Sequence, residues 1–229
     1  MYRHNSLSLC SEPKLIVMNM YKLVVIAATV FASATSQAQT SKGSSYTTLG
    51  PIVGMGHSWI SNTGTVFNPT PQLGISVIHS KNEHWGMGGI STISREGYSY
   101  DLIRNGRLYN NTIDPVYMRV VPRMYYFFGQ YRDNVRLNVF LGPSLGIKLA
   151  EDRQVDAGLP AGDYVVYTNN NEFNTLDFGA NTGLGLNFKV APRTWLNFDG
   201  EYYMGLTNAN IYGDQNRSLR ANVSLMFGL

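Results

Sequence analysis

The chain has 229 residues, of which 14% are charged, 44% hydrophobic and 12% aromatic, with 23 Gly and 15 Tyr. Charge lies well below the roughly 25% of soluble domains, yet beyond the N-terminal region no run approaches the ~20 apolar residues of a membrane helix; a low-charge, Gly- and Tyr-rich chain without such a run fits a β-barrel better than a helical membrane protein. Net charge is +3 and falls to +1 once Arg3, Glu12, Lys14 and Lys22 are set aside as leader residues, which gives no support to nucleic acid as a partner.

In chain order, the first element is a targeting signal. "MNMYKLVVIAATVFASATSQAQT" has Lys22, an apolar core from Leu23 to Ala34, and small residues at −3 and −1 of a cut after Ala38. Residues 1–38 are therefore expected to be a signal peptide with an over-called N-terminal extension, the true start being Met1, Met18 or Met20. Cys10, the single cysteine, is removed with it, so no disulfide framework or cysteine metal site is expected. Residues 39–45 read as a short flexible leader, and 46–229 as the barrel.

Eight segments then carry strand character. The first three, 46–60, 71–80 and 84–95, alternate with interruptions by Gly. From 116 to 128, Met118, Val120, Pro122, Met124, Tyr126 and Phe128 oppose Arg119 and Arg123. From 135 to 149, Val135, Leu137, Val139, Leu141, Leu145, Ile147 and Leu149 oppose Arg136, Asn138, Ser144 and Lys148. Segments 173–190, 194–206 and 217–229 repeat the pattern, setting Asp177, Lys189, Asp199, Glu201 and Arg220 against apolar rows. Period two places successive side chains on opposite faces, and runs of this length exceed the ~5–6 residues of a soluble strand. The connections alternate long and short, as in an up-and-down barrel with tight turns on one side of a membrane. An even strand number puts both termini on the short-turn side, the periplasm.

The faces decide which solvent the apolar rows meet. A soluble lipocalin-like barrel would bury them and show the charges to water. Three features favour lipid outside instead: strand length suited to a membrane crossing, Gly and Ser among the opposing rows as a crowded eight-stranded interior needs, and aromatics near strand ends such as Tyr125, Tyr126, Phe127, Phe128, Trp195, Tyr202 and Tyr203. Arg119, Arg123, Arg136, Lys148, Asp177, Lys189, Asp199, Glu201 and Arg220 are then expected to form a charge network in the barrel interior, because unpaired burial is costly.

The blocks "VYMRVVPRMYYFFG", "RLNVFLGPSLGIKL", "LDFGANTGLGLNF", "LNFDGEYYMGLTN" and "NRSLRANVSLMFGL", in this order, resemble the PorT-like outer-membrane β-barrel family of Gram-negative bacteria. The resemblance implies an eight-stranded antiparallel barrel in the outer membrane, without fixing an activity. It also implies contact with outer-membrane lipid and lipopolysaccharide, and with the barrel-assembly machinery during biogenesis. One departure is the closing Phe227-Gly228-Leu229, where a terminal aromatic is the commoner assembly signal; the Leu225, Phe227, Leu229 row keeps the alternation.

Chemistry is sparse. His57-Ser58 and His79-Ser80 are His–Ser neighbours, but adjacent strand residues face opposite sides and cannot act as a dyad; a cross-strand pairing stays open. Asp199 and Glu201 share a face, with buried ion pairing as the simpler reading of both. Without H-x-H spacing, and with Glu151, Asp152, Asp156 and Asp163 lacking EF-hand spacing, neither a metal nor a cofactor is expected. Tyr164, Val165, Val166 and Tyr167 in the longest loop can extend a hairpin and offer an edge to an envelope protein partner. The expected role is structural, adhesive or docking and non-enzymatic. The alternatives are a narrow porin-like conduit and a lipid-modifying enzyme.

Overall fold

The computed structural model describes residues 46–61, 67–104, 107–130, 133–156, 164–166, 173–210 and 213–229, with backbone alone for 101–104, 107–109, 153–156 and 164–166. The signal peptide and leader expected over 1–45, and Asp163 and Tyr167 of the loop, lie outside the described residues. The strands are β1 (Tyr46–Ile60), β2 (Pro69–Ser80), β3 (Trp85–Arg95), β4 (Tyr98–Arg104), β5 (Arg107–Phe127), β6 (Val135–Asp156), β7 (Tyr164–Val166), β8 (Leu176–Ala191), β9 (Thr194–Gly205) and β10 (Asn216–Gly228).

All pairings are antiparallel, in the order β4-β5-β3-β2-β1-β10-β9-β8-β6-β7, and a further β5–β6 pairing closes the ring. β4 continues the line of β3 along β5: Arg95 faces Val116 and Tyr98 faces Ile113. The break between them falls opposite Pro115. Glu96 N–H reaches the Pro115 carbonyl at 2.8 Å, but Pro115 has no N–H to return. Counting β3 and β4 as one wall strand and leaving β7 outside the ring gives a closed, eight-stranded, up-and-down barrel. Its short connections close locally; in one, Asn82 Oδ1 accepts the N–H groups of His84 (2.9 Å) and Trp85 (2.8 Å).

The alternation is realised as two surfaces. On β6, Leu141 is 60% exposed and Ser144 is 1% exposed. Across the other strands Met55, Leu73, Met87, Met124, Leu184, Phe198, Leu219 and Phe227 stand outward in the same way. Soluble monomers rarely expose large contiguous apolar patches; this exterior is the lipid-facing band of a transmembrane barrel.

Inside, three layers fill the lumen. At the short-turn end Ile78, Tyr125, Phe127, Phe140, Trp195 and Met226 pack together. At the long-loop end Ile60, Tyr98, Ile113, Phe173 and Ala209 form a second cluster. Polar and charged side chains occupy the middle, with a small apolar contact of Ile52, Ile90 and Val121. Large and small residues interlock as a narrow barrel demands: a Cβ on Gly183 would sit 2.4 Å from the Phe140 ring.

Candidate functional site

Two regions concentrate chemistry: the charged middle of the lumen, and the strands that continue past the long-loop rim.

The lumen is organised around Glu96, which is fully buried. Arg119 donates Nε to Glu96 Oε1 at 2.5 Å, and its Nη2 reaches Asp177 Oδ2 at 2.5 Å. Arg220 donates Nη2 to Glu96 Oε1 at 2.6 Å and Nη1 to Glu201 Oε1 at 3.4 Å. Arg123 pairs with the other oxygen of Glu201. Three guanidiniums therefore meet three carboxylates, the arrangement that makes buried charge tolerable. Neutral donors complete it: Ser94 Oγ donates to Glu96 Oε1 at 2.5 Å, and Asn216 Nδ2 to Glu96 Oε2 at 2.8 Å. The Arg119 guanidinium also lies over the Tyr203 ring at 4.1 Å, and that of Arg123 over Phe140 at 4.2 Å.

The structure thus brings Arg119, Arg123, Asp177, Glu201 and Arg220 into one cluster and leaves the other interior candidates elsewhere. Arg136 lies near the short-turn mouth, over the Phe127 ring at 4.5 Å, donating to the Glu83 carbonyl. Lys189 stands 5.9 Å from the Trp195 ring. Lys148 is at the opposite end, paired with Glu151 at 2.6 Å and donating to the Phe173 carbonyl. That local pair exists because β6 shifts register between the partners of Val116 and Tyr117: Val116 faces Ala150 and Tyr117 faces Lys148, so Leu149 is an extra residue. Asp199 lies against Asn138 across the space that Gly185 leaves open, within the lumen but without an ion pair among the described residues.

Glu96, the centre of the cluster, falls in a segment that reads as loop. The signal that finds it is parity: Ser94, Glu96 and Tyr98 continue the inward row of β3, and all three are buried.

The histidines stand apart from the serines beside them. His57 faces outward while Ser58 is fully buried and accepts the Gly97 N–H at 2.9 Å. His79 Nδ1 is 2.8 Å from Thr47 Oγ1. His84 Nδ1 meets the Phe127 carbonyl at 3.1 Å and its ring stacks on Tyr126. Among the described residues no group of His, Cys, Asp and Glu has the arrangement of a metal site.

Beyond the rim, the ladder of β5 and β6 runs on to Asn110 opposite Asp156, whereas β8 leaves β6 at Ile147 opposite Leu176. β4 lines the outer side of β5 and β7 that of β6, pairing Gln154 with Val166 and Asp156 with Tyr164. The result is a projecting four-stranded sheet, with β4 and β7 as its edges.

Residues 37–210 match the model of a family described as outer membrane protein beta-barrel domain. The chain belongs to this family. Among solved structures, the outer-membrane barrel is similar to Neisserial surface protein A at 14% identity and TM-score 0.41, covering 79% of this chain and 95% of that one. It is also similar to Ail, the attachment invasion locus protein of Yersinia pestis, in complex with a heparin analogue (13%, TM-score 0.39, 80% and 97%). The N-terminal β-barrel domain of Pseudomonas aeruginosa OprF is another such structure (11%, TM-score 0.37, 77% and 96%). No curated protein matches the sequence. Family membership and the apolar exterior place the outer-membrane barrel in the outer membrane, where the filled lumen and the projecting sheet are its two distinctive features.

Proposed function

We propose that this protein is a non-catalytic display barrel: an occluded membrane anchor that holds the β4–β7 sheet at the cell surface for attachment or for docking another envelope protein. The observation that carries the reading is the projection itself. Edge strands offer backbone N–H and C=O groups to an incoming extended segment, and here two edges are raised beyond the rim on a rigid base. The orientation follows from tight turns facing the periplasm, with both termini there after removal of a signal peptide ending near Ala38. Within the family, the ordered blocks from 116 onward favour a PorT-like relationship. The conduit reading fits less well, because apolar side chains fill both ends of the lumen, and the lipid-modifying reading lacks a His–Ser pair among the described residues.

The test replaces residues 99–112 and 153–172 by short turns in the chromosomal copy, keeping the buried Tyr98 and Ile113. The trimmed barrel is expected to remain in the outer-membrane fraction and to keep its heat-dependent gel mobility, while surface attachment of the cells drops to the level of a deletion strain. Attachment unchanged in both the trimmed and the deletion strain sinks the proposal.

A further inference from the structure

We infer that the outer wall at the long-loop rim carries a binding site for the phosphorylated sugar headgroup of an outer-leaflet glycolipid, built from Arg217 and a ledge of stacked rings. This inference rests on the reading that the long-loop end faces the cell exterior.

The ledge runs along β1 from His57 to Trp59 and then crosses β10 to Tyr202 on β9. The His57 ring is stacked between Trp59 and Phe67, each 5.2 Å away, and Trp59 continues to Tyr202 at 6.3 Å. These side chains lie outside the wall, since their strand neighbours Ser58 and Tyr203 are buried within it. The backbone N–H of Asn68 reaches His57 Nδ1 at 3.1 Å. Nδ1 also lies 3.3 Å from the Asn68 carbonyl oxygen, so the ring is held against the start of β2.

Arg217 faces outward on β10, opposite Trp59 on β1 and Met204 on β9. Its Nε is buried with no acceptor in reach among the described residues, and no carboxylate among them pairs with it. The contrast at the same rim is Arg95, whose charge is met by Asp114 at 2.7 Å. Directly below Arg217 on the outer face comes Leu219, 57% exposed, where the lipid-facing band begins. The guanidinium therefore sits at the boundary of hydrocarbon and headgroups, where a phosphate supplies the oxygens that it lacks.

The rings narrow the ligand class. A pyranose presents a face of C–H bonds that stacks on the negative face of an aromatic ring, while a glycerophospholipid brings a phosphate without such a face. Arg217 selects the phosphate and the ledge selects the sugar. Simple interfacial anchoring, which Arg also serves, would not tell a phosphorylated sugar from any other anionic headgroup, and the experiment separates the two.

The experiment uses the full chain in detergent micelles, titrated with bisphosphorylated lipid A, its dephosphorylated form and phosphatidylglycerol, with complexes counted by native mass spectrometry. Arg217→Gln is expected to weaken bisphosphorylated lipid A about fivefold and to leave the dephosphorylated form unchanged. Trp59→Leu should weaken both lipid A forms and spare phosphatidylglycerol, whereas Arg193→Gln at the short-turn rim should change nothing. Arg217→Lys, which keeps the charge, should recover most of the affinity and guards against a folding defect, as does the heat-dependent gel shift of each variant. Equal binding by Arg217→Gln, or phosphatidylglycerol held as tightly as lipid A, overturns the site. The orientation is tested separately: Asn208→Cys in a Cys10→Ser background should react with an impermeant maleimide on intact cells. If it does not while the micelle results hold, the display reading fails and the rim site stands as a lipid site facing the other leaflet.

Discussion

Glu96 touches two guanidiniums, so removing its charge leaves both Arg119 and Arg220 short of a partner. Glu96→Gln should cost about 3–5 kcal/mol, read as a lower urea midpoint for loss of the heat-shifted form. Adding Arg220→Gln should return part of that loss by removing one uncompensated cation, and a double-mutant cycle measures the coupling. On the outer face the medium is lipid, and the cost of a substitution is set by transfer into it. Leu141 stands in the middle of β6 and faces outward; Leu141→Arg should destabilise the barrel by about 2–4 kcal/mol in vesicles, and Leu141→Ala by less. The outward row was legible in the sequence because each apolar residue has a polar or small neighbour on either side. Glu96 was not, because Arg95, Glu96 and Gly97 offer no apolar contrast and look like the start of a loop.

At the scale of the element, the eight wall strands could be read within a few residues; of the extensions, only the hairpin strand at Tyr164–Val166 could. The reason is solvent. Alternation records a strand only where its two faces meet different media, as they do inside the bilayer. Past the rim, "AEDRQVD" in β6 and "RLYNNTID" in β5 carry no sustained apolar–polar alternation, so strand and loop share one composition. The bulge at Leu149 marks the change, since parity is lost there. A second local feature sits lower in the same pair, where Pro122 and Pro143 interrupt the β5–β6 ladder and neither supplies an N–H. The strands approach so closely that a Cβ on Gly142 would lie 1.8 Å from the Pro122 carbonyl oxygen. That oxygen is backbone and cannot swing away. Gly142→Ala should therefore push the strands apart and cost about 1–3 kcal/mol, seen in the same urea titration, while the nearby exchange Ser91→Ala on the neighbouring β3 should stay within about 0.5 kcal/mol.

For the whole molecule, the order of the layers decides whether the barrel conducts. An ion entering from the short-turn side meets Arg136 at the mouth and then the packed rings of Phe127, Phe140 and Trp195. Having passed them it reaches guanidiniums and carboxylates already satisfied by one another, so nothing there replaces its hydration shell. Leaving by the other end, it meets Ile60, Ile113 and Phe173. A cavity at the short-turn mouth, bounded by Tyr46, Arg136 and Met226, is lined by residues of that end alone. Purified protein in planar bilayers should accordingly insert without unitary current steps. Breaking the central ion pairs alone, as in Glu96→Gln, should leave it silent, because the apolar caps still shed water. Conductance should appear only when a cap and the charged layer are opened together, as in Phe127→Ala with Phe140→Ala and Glu96→Gln. Steady current steps from the unmodified chain would show that the layers move aside in the membrane, and the display role would then have to share the barrel with transport.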